Sequence, residues 1–205
     1  MPNARQRAKQ RAAKAAAAAA AKAAAPCPAA AAAAAEQERI DKAYDEISQN
    51  GHAVQRHGEA ITQQQLTDRA VKGFDPVTGS TQDAYKKNAD GTPGTHSVGR
   101  NATKFASKEA MVKAAEAVKK HPDYAKELDE AKKNGETRFS VESVKLEDAF
   151  GKDYKKQVSG VTRLGSKNNP TGSQPTDFTD GTVTAVYEKD TKGDWNILTM
   201  YPNPK

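Results

Sequence analysis

Residues 181–202, GTVTAVYEKDTKGDWNILTMYP, carry the clearest secondary-structure signal in the chain. Two runs rich in β-branched and aromatic residues, GTVTAVYEK and WNILTMYP, flank DTKGD, a short polar segment containing Gly. Such residues suit a pleated, half-buried surface, and the Gly-containing break between them reads as a turn. The expectation is a β-hairpin. Strict alternation along its second strand puts Trp195, Ile197, Thr199 and Tyr201 on one face, with Leu198 and Met200 on the other. Thr199 and Tyr201 then point the same way, roughly 7 Å apart.

Upstream, TRFSVESV places Phe139 and Val141 at period two and then shifts toward Val144, a short strand. Before it the period is helical. DYAKELDEAKKNG closes on Gly135, and Ser107 caps KEAMVKAAEAVKK, whose Met111, Ala114, Ala115 and Val118 fall at i, i+3, i+4 and i+7. His121-Pro122 ends that helix. Thr62-Gln63-Gln64-Gln65 is a T-x-x-Q capping box opening TQQQLTDRAVKG, which stops at Gly73. Leu66, Ala70 and Val71 form its apolar side, and Arg69 lies one position off it. Residues 74–101, rich in Gly, Pro, Asp, Asn, Ser and Thr, read as one long loop. A further helix runs through AAAAAAAEQERIDKAYDEISQN to Asn50, with Gly51 suited to a left-handed cap. Helices come first and strands later. That order argues an α+β fold, N-terminal helices followed by a C-terminal antiparallel β-sheet.

The first 36 residues are a separate matter. RQRAKQRAAKAAAAAAAKAAA has excellent helix-forming composition but no apolar stripe, and Pro26 and Pro28 break it. This basic, Ala-rich extension is either a low-complexity spacer or a docking handle, and 37–205 is the domain proper. Residues 1–35 hold six Lys or Arg and no acid, which accounts for the whole net charge of +6. The remaining 26 basic and 26 acidic residues balance, so any basic surface on the domain must be local.

All five Phe, all six Tyr and the single Trp lie after residue 43, so the core forms there. The lone Cys27 excludes an intramolecular disulfide and a multi-Cys zinc site. Four scattered histidines without an H-x-x-x-H pair argue against a metal cage, so chemistry without metal or other cofactor is expected. No run of 18 apolar residues free of charge exists, and no membrane partner is expected. The Ala run, interrupted by Lys14 and Lys22, reads as uncleaved rather than as a secretion signal.

GHAVQRHGEA (51–60) holds two of the histidines. His57 has the ordinary pKa that suits general acid–base work near neutrality, although a lone His is more often a surface or satisfied residue. His52 stands five positions earlier, about 140° away on a regular helix, so the two could not face one small ligand from such a helix. Arg69 offers a planar fork for bidentate phosphate contact. The Thr199–Tyr201 hydroxyl pair suits a phosphate or a base edge, though T-x-Y alone is no motif.

Four pieces in order, GHAVQRHG (51–58), LTDRA (66–70), NATKFASKEAMVKAAEAVKK (101–120) and WNILTMYP (195–202), resemble the ribonuclease-A-like toxin domains of bacterial polymorphic toxins. Such domains occur in contact-dependent inhibition and type VI secretion effectors. The resemblance spans roughly residues 45–205. It implies a ribonuclease-A-like fold, with His57 and Arg69 catalytic, Thr199 and Tyr201 completing the site, and His52 at the family's first histidine. It also implies that Thr103 and Lys104 sit in a polar turn near the cleft and contact substrate. Two departures stand out: the long 74–101 segment, and an Arg one position further from the His than the pattern has it.

The function implied is a metal-independent endoribonuclease, an effector cleaving RNA through its own 2′-hydroxyl to a 2′,3′-cyclic phosphate. Its partners would be RNA, a cognate immunity protein and a secretion-system carrier, and its place of action the target-cell cytoplasm. Competing readings are another metal-independent tRNA nuclease and a non-catalytic nucleic-acid binder acting through the basic extension. Deleting residues 1–35 separates the last: an enzyme keeps cleaving, a tail-driven binder loses affinity. An ADP-ribosyltransferase would want a Glu-x-Glu-like turn on a C-terminal strand, and the nearest acids, Glu188 and Asp190, lie at the hairpin turn.

Overall fold

The computed structural model describes Gln6, residues 27–97 and residues 99–205. The basic segment before Cys27, read as a helix, lies outside the described residues apart from Gln6. The chain divides into two compact units, Met1–Arg39 and Ile40–Lys205.

The described residues form six α-helices and eight strands in an α+β fold. In chain order they are α1 (Pro28–Asn50), α2 (Ala53–His57), α3 (Gln63–Lys72), β1 (Gln82–Lys87), β2 (Pro93–Thr95) and β3 (Asn101–Phe105). There follow α4 (Lys108–Lys120), α5 (Pro122–Asn134), β4 (Arg138–Lys145), α6 (Leu146–Phe150) and a 3-10 helix, Gly151–Lys156. The chain ends in β5 (Val158–Gly165), β6 (Pro170–Pro175), β7 (Thr182–Lys189) and β8 (Trp195–Asn203). All sheets are antiparallel: β1–β2, β3–β5–β6 and β4–β7–β8.

Several expected boundaries coincide with observed ones. Thr62 accepts from Gln65 N while the Gln65 side chain accepts from Thr62 N, completing the capping box of α3, and Gly73 closes the helix in the left-handed region. Gly135 does the same for α5. The shift from Val141 to Val144 is an irregularity in the β4–β7 ladder, which keeps Phe139, Val141 and Val144 all buried.

The order of elements differs from the expectation, since strands are interleaved with helices. Residues 74–101 are not one loop but contain the β1–β2 hairpin and an Asp75–Ser80 bridge. Gln82–Lys87 carries little apolar content, which hides a strand whose pairing partner is local. Thr103 and Lys104 lie on β3, not in a turn.

Two apolar clusters form the core. The larger gathers Ile40, Tyr44 and Ile47 of α1, Met111, Val112 and Val118 of α4, and the inner faces of β4, β7 and β8. The smaller packs Leu66 and Ala70 of α3, with Ile61, against Ala102 and Val161 of β3 and β5. Burying a side chain such as Leu66, fully enclosed here, is worth about 1.5–3 kcal/mol.

Strict alternation fails in β8. Val186 pairs with Thr199 but Tyr187 with Ile197, so Leu198 is an extra residue in the ladder. A one-residue shift exchanges the two faces of a strand. Ile197 therefore joins Met200 in the core, while Thr199 and Tyr201 keep the shared outward face expected for them. The carbonyl of Leu198 accepts from His52 N at 2.8 Å, tying the start of α2 to this bulge.

That docking gives Gly51 a role other than the cap expected for it. Its φ is not in the positive range adopted by Gly73 and Gly135. Instead, a Cβ there would lie 2.3 Å from the carbonyl oxygens of both Ile197 and Leu198. Backbone cannot retreat as a flexible side chain does. Gly51→Ala is expected to cost about 1–3 kcal/mol in stability, read by urea denaturation, and an unchanged midpoint would mean α2 can move off β8.

Candidate active site

The elements meet around a cavity of about 340 Å³ walled by α2, α3, β3 and β8. Six of the seven residues singled out in the sequence, His52, His57, Arg69, Thr103, Thr199 and Tyr201, line it. The seventh does not: Lys104 donates its ammonium to the carbonyls of Glu59 and Ile61 at 2.8 and 2.5 Å, clamping the turn between α2 and α3.

His57 sits at the centre. Its Nδ1 is 2.7 Å from the carbonyl oxygen of Thr103. A carbonyl only accepts, so Nδ1 carries the proton and the Nε2 of the neutral ring holds the lone pair. Nε2 faces Arg69 Nη1 at 3.4 Å, and the same Nη1 donates to the Arg56 carbonyl at 3.1 Å. Burial, and then the Arg69 charge, hold His57 well below its ordinary pKa. Tyr201 stacks on the ring, centroids 5.0 Å apart. Thr103 fixes the carbonyl that orients His57, because its hydroxyl donates to the Pro202 carbonyl at 2.6 Å and joins β3 to β8.

His52 is not inside a helix but at the N-cap of the five-residue α2, so the 140° separation of a regular helix does not apply. Both imidazoles therefore line one cavity. Burial and the Arg56 charge lower the His52 pKa to about 4. Burial and Arg56 likewise lower Arg69 to about 10, which leaves it cationic at neutral pH. Burial raises the Tyr201 pKa, keeping its hydroxyl a donor.

Arg56 stands immediately before His57 and was not singled out for the site. It is buried, and its Nη2 bonds Asp75 Oδ2 at 2.6 Å and Asp83 Oδ1 at 2.7 Å. Asp75 also accepts from Val77 N and Ala84 N. Asp83 accepts from Tyr85 N and Lys86 N, and its Oδ2 lies 3.0 Å from His96 Nδ1. Burial pushes both carboxyls up, but these hydrogen bonds outweigh it and hold both below the usual range. Arg100 and Asn203 complete the rim. Adjacency to His57 was the only sequence signal for Arg56. The two acids lay in the segment read as a loop.

No metal ligand set was expected, yet ligand-type atoms of Asp75, Asp83 and His96 lie within 4.8 Å of one another. The Arg56 guanidinium bonds both carboxylates, so a cation already balances them.

No protein-family model, curated protein or solved structure matches the chain. The cavity presents guanidinium N–H groups, hydroxyls and two imidazoles that are neutral at pH 7, an arrangement suited to an oxyanion whose neighbour must lose a proton.

Three of the four histidines, His52, His57 and His96, have pKa values lowered by burial. An imidazole that binds its proton more weakly when folded than when unfolded destabilises the fold once the unfolded form protonates. Stability should therefore fall as pH drops below about 6.5, through the window that for His52 closes near 4. Urea midpoints at pH 7.5, 6 and 4.5 check this, and a flat or rising trend toward acid would contradict it.

Proposed function

We propose that the protein is a metal-independent endoribonuclease of the ribonuclease-A-like toxin type. The observation that carries the reading is the tautomer of His57: Nδ1 bound to the Thr103 carbonyl, Nε2 bearing a lone pair at the cavity beside Arg69. His57 Nε2 takes the proton of the RNA 2′-hydroxyl, and the 2′-oxygen attacks phosphorus. The 5′-oxygen leaves, taking up a proton from solvent, and a 2′,3′-cyclic phosphate remains. Arg69, with the Thr199 and Tyr201 hydroxyls, donates to the phosphoryl oxygens as their charge grows. A bound phosphodiester offsets the guanidinium charge that depresses His57, so the base strengthens when substrate is present.

The antiparallel sheets that contribute β3 and β8 to one cavity support a ribonuclease-A-like architecture. In this reading the protein is an effector acting in a target-cell cytoplasm, delivered by a secretion-system carrier and neutralised at home by a cognate immunity protein. No described helix is long and apolar enough to cross a membrane.

The test is to incubate the protein with an RNA oligonucleotide and its all-deoxy counterpart, with and without EDTA. RNA should be cut to 2′,3′-cyclic phosphate ends with or without chelator, and the deoxy strand spared. Loss of activity in EDTA would move the reading to the Asp75–Asp83–His96 cluster, and comparable cleavage of DNA would end the 2′-hydroxyl mechanism.

A further inference from the structure

A second groove, of about 680 Å³, lies on the far side of His52 and Arg56, which line both it and the catalytic cavity. One wall is β1, part of the 74–101 segment that departs from the toxin-domain pattern. Among the described residues, Tyr85 on β1 is one of two large apolar side chains left substantially exposed, at 47%. It is nevertheless held in place. His52 stacks on it with centroids 4.8 Å apart, Arg56 Cζ lies 4.9 Å from its ring centre, and Asp83 Oδ1 accepts from its backbone N–H.

The groove's charges favour an anion. Its two acids are engaged, Asp83 by Arg56 and His96, and Glu188 by Arg138. Lys86 and Lys87, the next residues along β1, make no salt bridge among the described residues and line the same groove.

We propose that this groove is a flanking-nucleotide subsite for single-stranded RNA, with a base stacking on Tyr85 and the adjoining phosphates meeting Lys86 and Lys87. The proposal rests on the ribonuclease reading. A pre-ordered aromatic surface beside free cations binds a strand without regard to sequence, because every base has a π-face. Little side-chain freedom is lost on binding, since His52 and Arg56 already fix the ring. The shared wall makes the path continuous, so a strand cleaved beside His57 extends past His52 onto Tyr85. A duplex presents no free base face here, so paired RNA should be a poor occupant.

The experiment uses fluorescein-labelled 2′-O-methyl oligonucleotides, which cannot be cleaved, with anisotropy as the readout. Wild type should bind an octamer more tightly than a dinucleotide. Tyr85→Ala should reduce that octamer advantage by about 5- to 100-fold, and Tyr85→Phe should restore it. Lys86→Glu with Lys87→Glu should weaken octamer binding and flatten its salt dependence. An octamer advantage unchanged in Tyr85→Ala, or absent from wild type, overturns the subsite. Cleavage is scored separately. A protein that binds through Tyr85 yet cuts no RNA sinks the ribonuclease reading and leaves the subsite standing. One that cuts RNA with the same KM in Tyr85→Ala as in wild type does the reverse.

Discussion

Replacing His57 with Ala is expected to lower RNA cleavage by about 10²–10⁴-fold, the span usual for losing a positioned acid–base group. The expectation follows from where the two ring nitrogens are spent. Nδ1 is committed to the Thr103 carbonyl, and that carbonyl is fixed by the bond from the Thr103 hydroxyl to Pro202. Only Nε2, which Arg69 Nη1 approaches at 3.4 Å, is left for substrate, and His52 is the cavity's one other neutral imidazole among the described residues. Arg69 remains cationic, and Tyr201, its pKa raised by burial, does not ionise near neutrality. The side chain leaves a planar gap against Tyr201, so free imidazole should recover part of the activity, which a merely misfolded variant would not allow. The wild-type pH profile adds a second check. With His57 held below its ordinary value by burial and Arg69, the acid limb of kcat/KM should lie below pH 6.5 rather than at it. Equal cleavage by both proteins, or equal toxicity in cells lacking an immunity protein, would remove His57 from the centre of the mechanism.

How far the site was legible depends on the range over which each signal acts. Thr62, Gln65 and Gly73 act within one helix, and their pattern alone placed α3 and therefore Arg69. His57, Thr199 and Tyr201 lie at opposite ends of the domain. The residues brought them together only through a resemblance, since no local pattern encodes the approach of α2 to β8. The bulge at Leu198 was illegible because β-branched and apolar residues continue straight through it. What meets it is the backbone of Gly51 and His52, which closes on it from more than a hundred residues away. β5 and β6 escaped for a different reason. VSGVTRLG and PTGSQP carry Gly, Ser and Pro where a strand pattern wants apolar alternation, and their ladder partners are β3 and each other. Arg56 was hidden by its type, since a buried arginine is legible only once its carboxylates are known.

Asp75→Asn should be the most damaging single-charge change in the domain, costing about 3–5 kcal/mol of stability and disabling the cavity with it. Asp75 is fully buried, and its two oxygens serve three donors: Arg56 Nη2, Val77 N and Ala84 N. An amide has the same shape but only one acceptor oxygen. Whichever way it turns, its NH₂ meets either the guanidinium or a backbone N–H, and a donor is left facing a donor. Asp83 still binds Arg56, which argues for the lower end of the range. The loss should nonetheless exceed that from any exposed pair, such as Lys113–Glu109 on α4, whose removal is worth about 0–1 kcal/mol. The functional effect follows from charge. The Arg56 charge helps to depress His52, His57 and Arg69, and Asp75 partly offsets it for His52 and Arg69. Without Asp75 the Arg56 charge makes His52 still harder to protonate, so the His52 titration should move to lower pH in the surviving folded protein. Urea denaturation gives the stability and an NMR titration of His52 gives the charge effect. A variant as stable as wild type would mean that Asp83 alone suffices to hold Arg56, and an unmoved His52 titration would mean that Asp75 does not offset the Arg56 charge there.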